Sequence, residues 1–420
     1  MGHDLSSLLR EAAAQPTSEV ASDVVEVVRL GRARVRRRRR TVAVSVCAAA
    51  VAVATTVSVL ASGAGLGRID PAEQRLEPVG PVVSPDDAVP GRAGRDWTQL
   101  ATWTNDNLNR ANGQYLSGVT PDGMALIKDG PHGIRNLVRW GLLQPRSGAV
   151  SWLPGTPRND LERPLLIEDH RIVFYGSVGR EAAVIVFDRD AVTWSDPLPL
   201  GMSAMEVSQA QLGADDRVYF VEDDGSYGGR LWSRSLNPGD EPRDEGLNVG
   251  ELVAQGDLLV WTKVTNDPND QVTIRDLVTG EERTFDPQSG DRCNQLSLQV
   301  AGEHLVLGQY CGTTNGGRTP VRDDRVQVVD LEGDPVVTVR GHGVEAGTAS
   351  ADGVVVTAYG SIDDPDGTTY LWHFERGELL ELADSRSNYS WTWLPDHSVL
   401  TWTEATNGRR GAAQVIATLE

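Results

Sequence analysis

The chain has 420 residues, of which 59 are acidic and 39 are basic, so its formal net charge at pH 7 is −20. Residues 1–40 carry nine Arg and five acidic residues, whereas the remainder carries 30 basic and 54 acidic groups. We predict no nucleic-acid partner, because binding nucleic acid requires Lys and Arg to displace the phosphate counterions.

The first 35 residues predict one or two short helices. Asp4 can cap a helix that begins at Leu5 and ends before Pro16, and Val20, Val24 and Val27 share one face of a second helix. Two interpretations remain open for this tail. Residues 1–35 either form a partly disordered segment that lies on the membrane, or provide a docking helix for a cytoplasmic partner.

A transmembrane helix is predicted at residues 41–62. This run has 22 residues without a charge or a proline, which is long enough to cross a hydrocarbon core of roughly 30 Å. Arg36 to Arg40 directly precede it, and a basic block beside a span stays cytoplasmic. The alternative is a cleaved secretory signal ending near Val59-Leu60-Ala61. Both alternatives place the rest of the chain outside the cytoplasm, and the anchored form predicts a single-pass protein of the cell membrane.

Residues 63–92 predict a linker, because prolines interrupt them and neither helical nor strand periodicity is present. From about Arg95 onward, short β-branched and aromatic runs alternate with turn residues. An acidic residue precedes such a run seven times, at Asp122, Asp169, Asp216, Asp257, Glu303, Asp352 and Asp396. Spacings in the mid-forties match a four-stranded propeller blade. Residues 93–420 are therefore predicted to form an all-β, seven-bladed β-propeller.

The last repeat ends after its third strand, so one strand of the predicted ring is missing. The segment from Asp96 to Thr104 is available to pair with it. Closing the ring in this way removes open sheet edges. The spacing of Trp97, Leu100 and Trp103 departs from the two-residue period of a regular strand, which predicts a β-bulge in this pairing.

This order of tail, Arg block, Ala/Val-rich span, linker and repeats resembles uncharacterised actinobacterial single-pass membrane proteins. Their outer domains are similar to TolB-like and WD-repeat-like propellers. The resemblance implies the fold and the location and gives no activity. The Trp-Asp dipeptide of WD repeats is absent, and Gly341-His342 occurs once.

A disulfide is predicted between Cys293 and Cys311. Cys47 lies within the predicted span, so these two are the cysteines of the outer region. Gly302 lies nine residues from each of them, at the turn of a predicted hairpin. The two cysteines should therefore face each other across antiparallel strands.

No phosphate loop, nucleophile elbow or paired-cysteine metal motif is present, so we predict no catalytic residues, no metal ligands and no cofactor. Acidic residues cluster in the predicted loops between second and third strands. Such loops share one face of a propeller and could bind Ca²⁺ or a basic partner; the alternative is that they are solvated turn residues. The acidic positions are Glu222, Asp223, Asp224, Asp267, Asp270, Asp363, Asp364 and Asp366.

Two functions are consistent with these patterns. The first is a membrane-anchored, extracytoplasmic module that binds, senses or scaffolds an envelope ligand or protein. The second is an extracytoplasmic propeller hydrolase, lactonase-like or glycosidase-like, which would require carboxylates or His converging at the central channel. Because the sequence offers no such set, we favour a binding protein over an enzyme.

Overall fold

The computed structural model describes residues 77–105, 115–129, 138–155, 160–226, 228–263, 271–289, 293–314, 321–359, 367–382, 399–405 and 412–419. Within these ranges the regular structure is β-strand, apart from a 3₁₀ turn at Pro85–Asp87. The described strands are, in chain order, β1 (Val82–Val83), β2 (Val89–Pro90), β3 (Trp97–Asn105), β4 (Tyr115–Val119), β5 (Ala125–Asp129), β6 (Arg139–Leu143), β7 (Val150–Trp152), β8 (Asp160–Ile167), β9 (Arg171–Val178), β10 (Glu181–Asp188), β11 (Thr193–Trp194), β12 (Leu198–Ser203), β13 (Val207–Leu212), β14 (Arg217–Ser226), β15 (Gly228–Ser235), β16 (Arg243–Gln255), β17 (Leu258–Lys263), β18 (Val272–Asp276), β19 (Glu282–Phe285), β20 (Asn294–Ala301), β21 (His304–Thr314), β22 (Val321–Asp330), β23 (Pro335–Gly341), β24 (Glu345–Ser350), β25 (Gly353–Ala358), β26 (Thr368–His373), β27 (Glu378–Leu382), β28 (Leu400–Ala405) and β29 (Ala412–Leu419).

The described strands form six sheets, mostly antiparallel meanders in which consecutive strands lie side by side. Sheet 1 contains β4–β7, sheet 2 β8–β12, sheet 3 β13–β19, sheet 4 β20–β23 with β1, sheet 5 β24–β27 with β2, and sheet 6 β28 and β29 with β3. Sheet 3 has two four-stranded halves that share the long strand β16. The first part of β16 pairs with β15 and its second part pairs with β17, with Val249 at the junction.

The acidic repeat marks equivalent turns, as the sequence predicted. The six described members lie in turns that precede a second strand of a meander or half-sheet, and Asp396 lies outside the described residues. The strands that follow are buried along most of their length, as β9 and β25 are. Because neighbouring sheets cover both faces of these strands, their sequences read as continuous apolar runs rather than as alternating patterns.

Apolar side chains connect the sheets in a circle. The described core comprises seven buried clusters, each of which joins two neighbouring sheets or the two halves of sheet 3. Representative residues from the two sides of each cluster, in order, are Trp140 and Phe174, Val184 and Phe220, Leu231 and Leu259, Ile274 and Leu305, Val337 and Val354, Leu380 and Trp402, and Ile416 and Ile127. The seventh cluster returns to sheet 1. The described residues therefore have a β-propeller fold.

The predicted pairing of the segment from Asp96 to Thr104 with the last strand is confirmed. Strand β3 pairs in antiparallel fashion with β29, from Trp97 opposite Leu419 to Asn105 opposite Ala412. The register shifts between Ile416 and Ala417, which is the predicted bulge. Sheet 6 therefore combines the last strand of the described chain with β3 from its N-terminal part.

Residues 77–92, which we call the strap, differ from the predicted linker. They lie along the outer edges of sheets 4 and 5, where β1 pairs in parallel with β23 and β2 pairs in parallel with β27. The amide of Thr338 donates to the carbonyl of Pro81 at 2.8 Å, and the amide of Gly91 donates to the carbonyl of Glu381 at 3.0 Å. An outer edge offers unpaired backbone groups, so an extended, proline-containing segment can dock there without a complete hydrogen-bond ladder.

The predicted disulfide between Cys293 and Cys311 is also confirmed. Cys311 lies in β21 and Cys293 directly precedes β20, and these strands form an antiparallel hairpin. Gly302 occupies the turn with φ +62°, a left-handed conformation that suits glycine. The two Cα atoms are 3.9 Å apart.

The predicted cytoplasmic tail and the predicted span at residues 41–62 lie outside the described residues. Within the part of the chain that the structure describes, no helix is long and apolar enough to cross a membrane.

Candidate functional site

The structure places the acidic positions differently from the sequence prediction. Glu222 and Asp223 lie within strand β14 rather than in a loop, and the backbone of Asp224 continues the same strand. Strand β14 is longer than the apolar run predicted because its pairing with β15 extends as far as Ser226. The remaining predicted positions, Asp267, Asp270, Asp363, Asp364 and Asp366, lie outside the described residues.

Glu222 is half-buried, and an indole group orients its carboxylate. The Nε1–H of Trp232, on β15, donates to Oε2 of Glu222 at 2.9 Å. Arg230 lies opposite Glu222 in the β14–β15 register, and its Nη2 contacts Oδ2 of Asp244 at 2.7 Å. The guanidinium carbon of Arg230 is 5.8 Å from the centre of the Trp232 ring. We call these four residues together with Asp223 the β14–β15 end.

Asp223 lies where the pairing with β15 becomes irregular. Its amide donates to the carbonyl of Glu206 at 2.6 Å, and the β14–β15 register shifts between Asp223 and Ser226. Glu206 is itself fixed, because its Oε2 accepts a hydrogen bond from the amide of Ser203 at 3.0 Å. Two neighbouring carboxylates are thus carried by paired strands, whose backbones hold them more firmly than a loop would.

The β14–β15 end contains both signs of charge, which decides what it can bind. A Ca²⁺ ion takes six to eight oxygen ligands. In the ranges that the structure covers, no group of three or more His, Cys, Asp or Glu side chains is placed to hold a metal. The arrangement of carboxylates beside an indole and a guanidinium suits hydrogen bonding to a basic or polar partner. Ca²⁺ binding by the other acidic loops stays a prediction.

The inner strands show a feature that the sequence analysis missed. The first strands of neighbouring sheets approach one another, and each of β4, β8, β13, β16, β20 and β24 contains a register shift against its partner. At five junctions, four between neighbouring sheets and one between the two halves of sheet 3, a side chain donates to a backbone carbonyl in the next inner strand. These donor and acceptor pairs are Lys128 and Glu162, Arg163 and Ala210, Gln209 and Gly250, Gln299 and Gly347, and Gln414 and Leu116.

These bridges account for polar residues within otherwise apolar strands. A bulge leaves backbone groups unpaired, and the side-chain amides of Gln209 and Gln414 satisfy both a carbonyl and an amide group. The available sequence signal was a Gln inside a strand-like apolar run, as in SQAQL, LSLQV and AAQVI. The five donor side chains named above therefore join neighbouring sheets or half-sheets.

A small cavity lies between sheets 5 and 6, at the end of the ring that carries the acidic turns. Its volume is about 230 Å³, and its lining includes Asp352, His373, Phe374 and Glu375. Pockets that bind small-molecule substrates usually measure about 300–1,000 Å³. We assign no substrate to this cavity.

No protein-family model and no curated protein matches the chain. Among solved structures, the chain is similar to an oligogalacturonate lyase in complex with manganese, with 14% identity, a TM-score of 0.49, and coverage of 79% of this chain and 97% of that one. It is similar to the WD40 domain of Toxoplasma gondii coronin, with 11% identity, a TM-score of 0.41, and coverage of 78% and 88%. It is also similar to prolyl oligopeptidase B from Galerina marginata, with 14% identity and a TM-score of 0.46, covering 74% of this chain and 47% of that one. Similarities of this size transfer no activity to this chain, and they do not bear on the resemblance to actinobacterial or TolB-like proteins.

Proposed function

We propose that this protein is a membrane-anchored, extracytoplasmic propeller that binds a basic ligand or protein of the cell envelope.

The proposed propeller has seven blades. Sheet 3 counts as two blades because its halves share only strand β16 and pack against each other through their own apolar cluster. The other five sheets contribute one blade each. A closed ring of this kind is a rigid support for binding groups at its two faces.

The proposed location follows from the chain order. Arg36 to Arg40 precede the uncharged residues 41–62, which supports a single span with a cytoplasmic N-terminus. Residues 93–420 then lie outside the cytoplasm, and residues 1–35 can contact a cytoplasmic partner. The disulfide is consistent with an oxidising compartment.

The observation that carries the binding function is the β14–β15 end. Glu222 and Asp223 are consecutive residues of a paired strand, and Trp232 fixes the carboxylate of Glu222 by a hydrogen bond. A carboxylate fixed in this way loses little conformational freedom when a partner binds. A basic group of a peptide or an envelope polymer fits their charge.

The topology can be tested with cells. Protease added to spheroplasts should degrade residues 93–420 and spare an epitope at the N-terminus. If the domain stays intact while a control outer protein is cleaved, the proposed orientation is wrong. A mature N-terminus near residue 62 would show that the span is a cleaved signal.

Binding can be tested with two matched variants of the full-length chain. Glu222→Gln with Asp223→Asn removes two charges at the β14–β15 end, and Asp240→Asn with Glu241→Gln removes two exposed charges in the turn between β15 and β16. Crosslinking in intact cells should capture a basic partner with the wild type and the second variant, and about tenfold less with the first. Equal capture by both variants would contradict the proposed site. Hydrolysis of a lactone or glycoside at an undiminished rate in both variants would instead support the alternative hydrolase.

A further inference from the structure

A buried polar network lies in sheet 4, where the sheet faces the second half of sheet 3. Arg325 is 1% exposed, and its Nε and Nη2 donate to the two carboxylate oxygens of Asp323 at 2.9 and 2.7 Å. A third donor of the same guanidinium, Nη1, reaches the carbonyl of Ser289 at 2.7 Å. A charged pair at this depth is stable only when its hydrogen bonds are satisfied, so the position of Ser289 matters to the network.

Ser289 belongs to residues 286–289, the segment that follows the last strand of sheet 3, and two glutamines fix this segment. Gln309 Nε2 donates to Ser289 Oγ at 2.5 Å, and Ser289 Oγ donates to Gln327 Oε1 at 2.6 Å. Gln327 Nε2 in turn donates to the carbonyl of Pro287 at 2.6 Å. The segment therefore depends on side chains from both β21 and β22.

The disulfide lies just beyond this segment in the chain. Cys293 follows Ser289 by four residues and is bonded to Cys311, which is two residues beyond Gln309 on β21. Both cysteines are buried, at 1% and 7% exposure. The covalent bond thus attaches the chain four residues beyond Ser289 to β21, the strand that carries Gln309.

The strap begins on this network. The amide of Val79 donates to the carbonyl of Gln288 at 3.3 Å. Arg340 shares Asp323 with Arg325, at 3.0 and 2.8 Å, and also contacts the carboxylate of Glu77. Val79 therefore contacts the segment directly, whereas Glu77 is linked to Ser289 only through Arg340, Asp323 and Arg325.

We propose that the Cys293–Cys311 disulfide is a redox latch for residues 77–83, the first part of the strap. A dithiol reductant breaks the S–S bond by transferring two electrons, each cysteine gains one proton, and the reductant leaves as its own disulfide. Without the bond, Gln288 and Ser289 separate from β21, the contact of Val79 is lost, and the two-residue ladder of β1 on β23 is the main remaining attachment of residues 77–83. The second part of the strap is attached independently, through β2 and Asp96, and stays in place. This inference rests on the described contacts and does not depend on the proposed binding function.

Hydrogen–deuterium exchange of the purified full-length chain tests the latch. In the variant Cys293→Ser with Cys311→Ser, a peptide covering residues 77–83 should exchange about tenfold faster than in the wild type. A peptide covering residues 89–97 should exchange at the wild-type rate, because its contacts do not involve the disulfide. Cys47→Ser is the matched control, since Cys47 is outside the bonded pair, and it should change neither peptide.

Two results would overturn the proposal. One is unchanged exchange of residues 77–83 in the double variant, and the other is equal acceleration of both strap peptides together with the core strands, which would indicate general unfolding. If the double variant does not fold, the wild type treated with dithiothreitol supplies the test. Loss of protection at residues 77–83 on reduction and its recovery on reoxidation support the latch, whereas retained protection with both thiols free contradicts it.

Discussion

Asp96 joins three parts of the molecule through one buried carboxylate. Arg95 donates to it at 2.9 and 2.6 Å, Arg376 of sheet 5 donates at 2.5 Å, and the amide of Arg92 in the strap donates at 2.7 Å. The hydrogen bond from Arg95 lowers the pKa of Asp96 most; burial opposes this effect, and Arg376 lowers the pKa further. The folded protein therefore holds this group ionised well below the ordinary Asp value of about 3.9.

Asp96→Asn should destabilise the domain by about 1 to 2 kcal/mol at pH 7, because charge-assisted hydrogen bonds to two arginines are lost. The direction in which this stability difference changes with pH follows from the lowered pKa of Asp96. The carboxylate stabilises the fold above its unfolded pKa of about 3.9, and this contribution is lost as the pH falls towards the folded value. Urea unfolding between pH 7 and pH 3 should therefore show a difference between wild type and variant that is constant above about pH 5 and shrinks below about pH 4.

The exposed Asp240 provides the control for this measurement, since Asp240→Asn removes the same charge without a described side-chain partner. We expect this variant to match the wild type at every pH. If the free energies of unfolding of Asp96→Asn and the wild type differ by the same amount at every pH down to 3, the carboxylate charge of Asp96 does not stabilise the fold.

At the scale of single elements, the inner strands combine a bulge with a side-chain bridge to a neighbouring sheet or half-sheet. Gln209 of β13 shows this most completely. Its Nε2 donates to the carbonyl of Gly250 at 2.9 Å, and its Oε1 accepts from the amide of Leu252 at 2.8 Å. The register of β16 against β17 shifts between Val249 and Leu252, so the backbone groups that Gln209 satisfies are those left over by the bulge.

Gln209→Met should therefore lower the free energy of unfolding by more than the loss of one ordinary hydrogen bond would. It leaves a carbonyl and an amide of β16 without their partner, and we expect destabilisation of about 2 to 3 kcal/mol. Gln271→Met, at an exposed position beside β18, is the matched control and should be nearly neutral. The urea midpoints of the two variants decide the question, and equal midpoints would show that water replaces the Gln209 bridge at no cost.

The elements that could be predicted are those whose signal is local. The acidic repeat and the apolar runs after Asp169 and Asp352 mark strands that are covered on both faces. Such strands need consecutive apolar residues, which are visible in the sequence. The strap could not be predicted, because the ladder of Val82–Val83 is completed by β23, more than 250 positions later in the chain. For the same reason, Glu222 appeared to be a loop residue: the pairing that extends β14 past its apolar run comes from Gly228–Gly229 and Arg230 of the next strand.

For the whole molecule, the N-terminal part of the described chain connects three consecutive sheets. β1 lies on sheet 4, β2 on sheet 5 and β3 in sheet 6, so the chain passes along the outside of the ring before it forms the closing strand. We therefore predict that loss of residues 77–90 destabilises the domain, because β1, β2 and the Glu77–Arg340 ion pair would be lost with them.

Chains truncated to begin at residue 77, 93 or 106 separate the strap from the closing strand. Removing residues 77–92 takes away short parallel ladders and edge contacts, so we expect the melting temperature to fall by about 5 °C while unfolding stays cooperative. Removing residues 93–105 as well takes away β3 and with it Trp97, which exposes the edge of β29 and the rest of the apolar cluster around Trp402. The third chain should therefore melt far below the second and aggregate on heating. Equal melting temperatures for the second and third chains would show that β3 pairs with β29 without stabilising the ring, whereas equal values for the first and second would show that the strap lies on the sheets without contributing to stability.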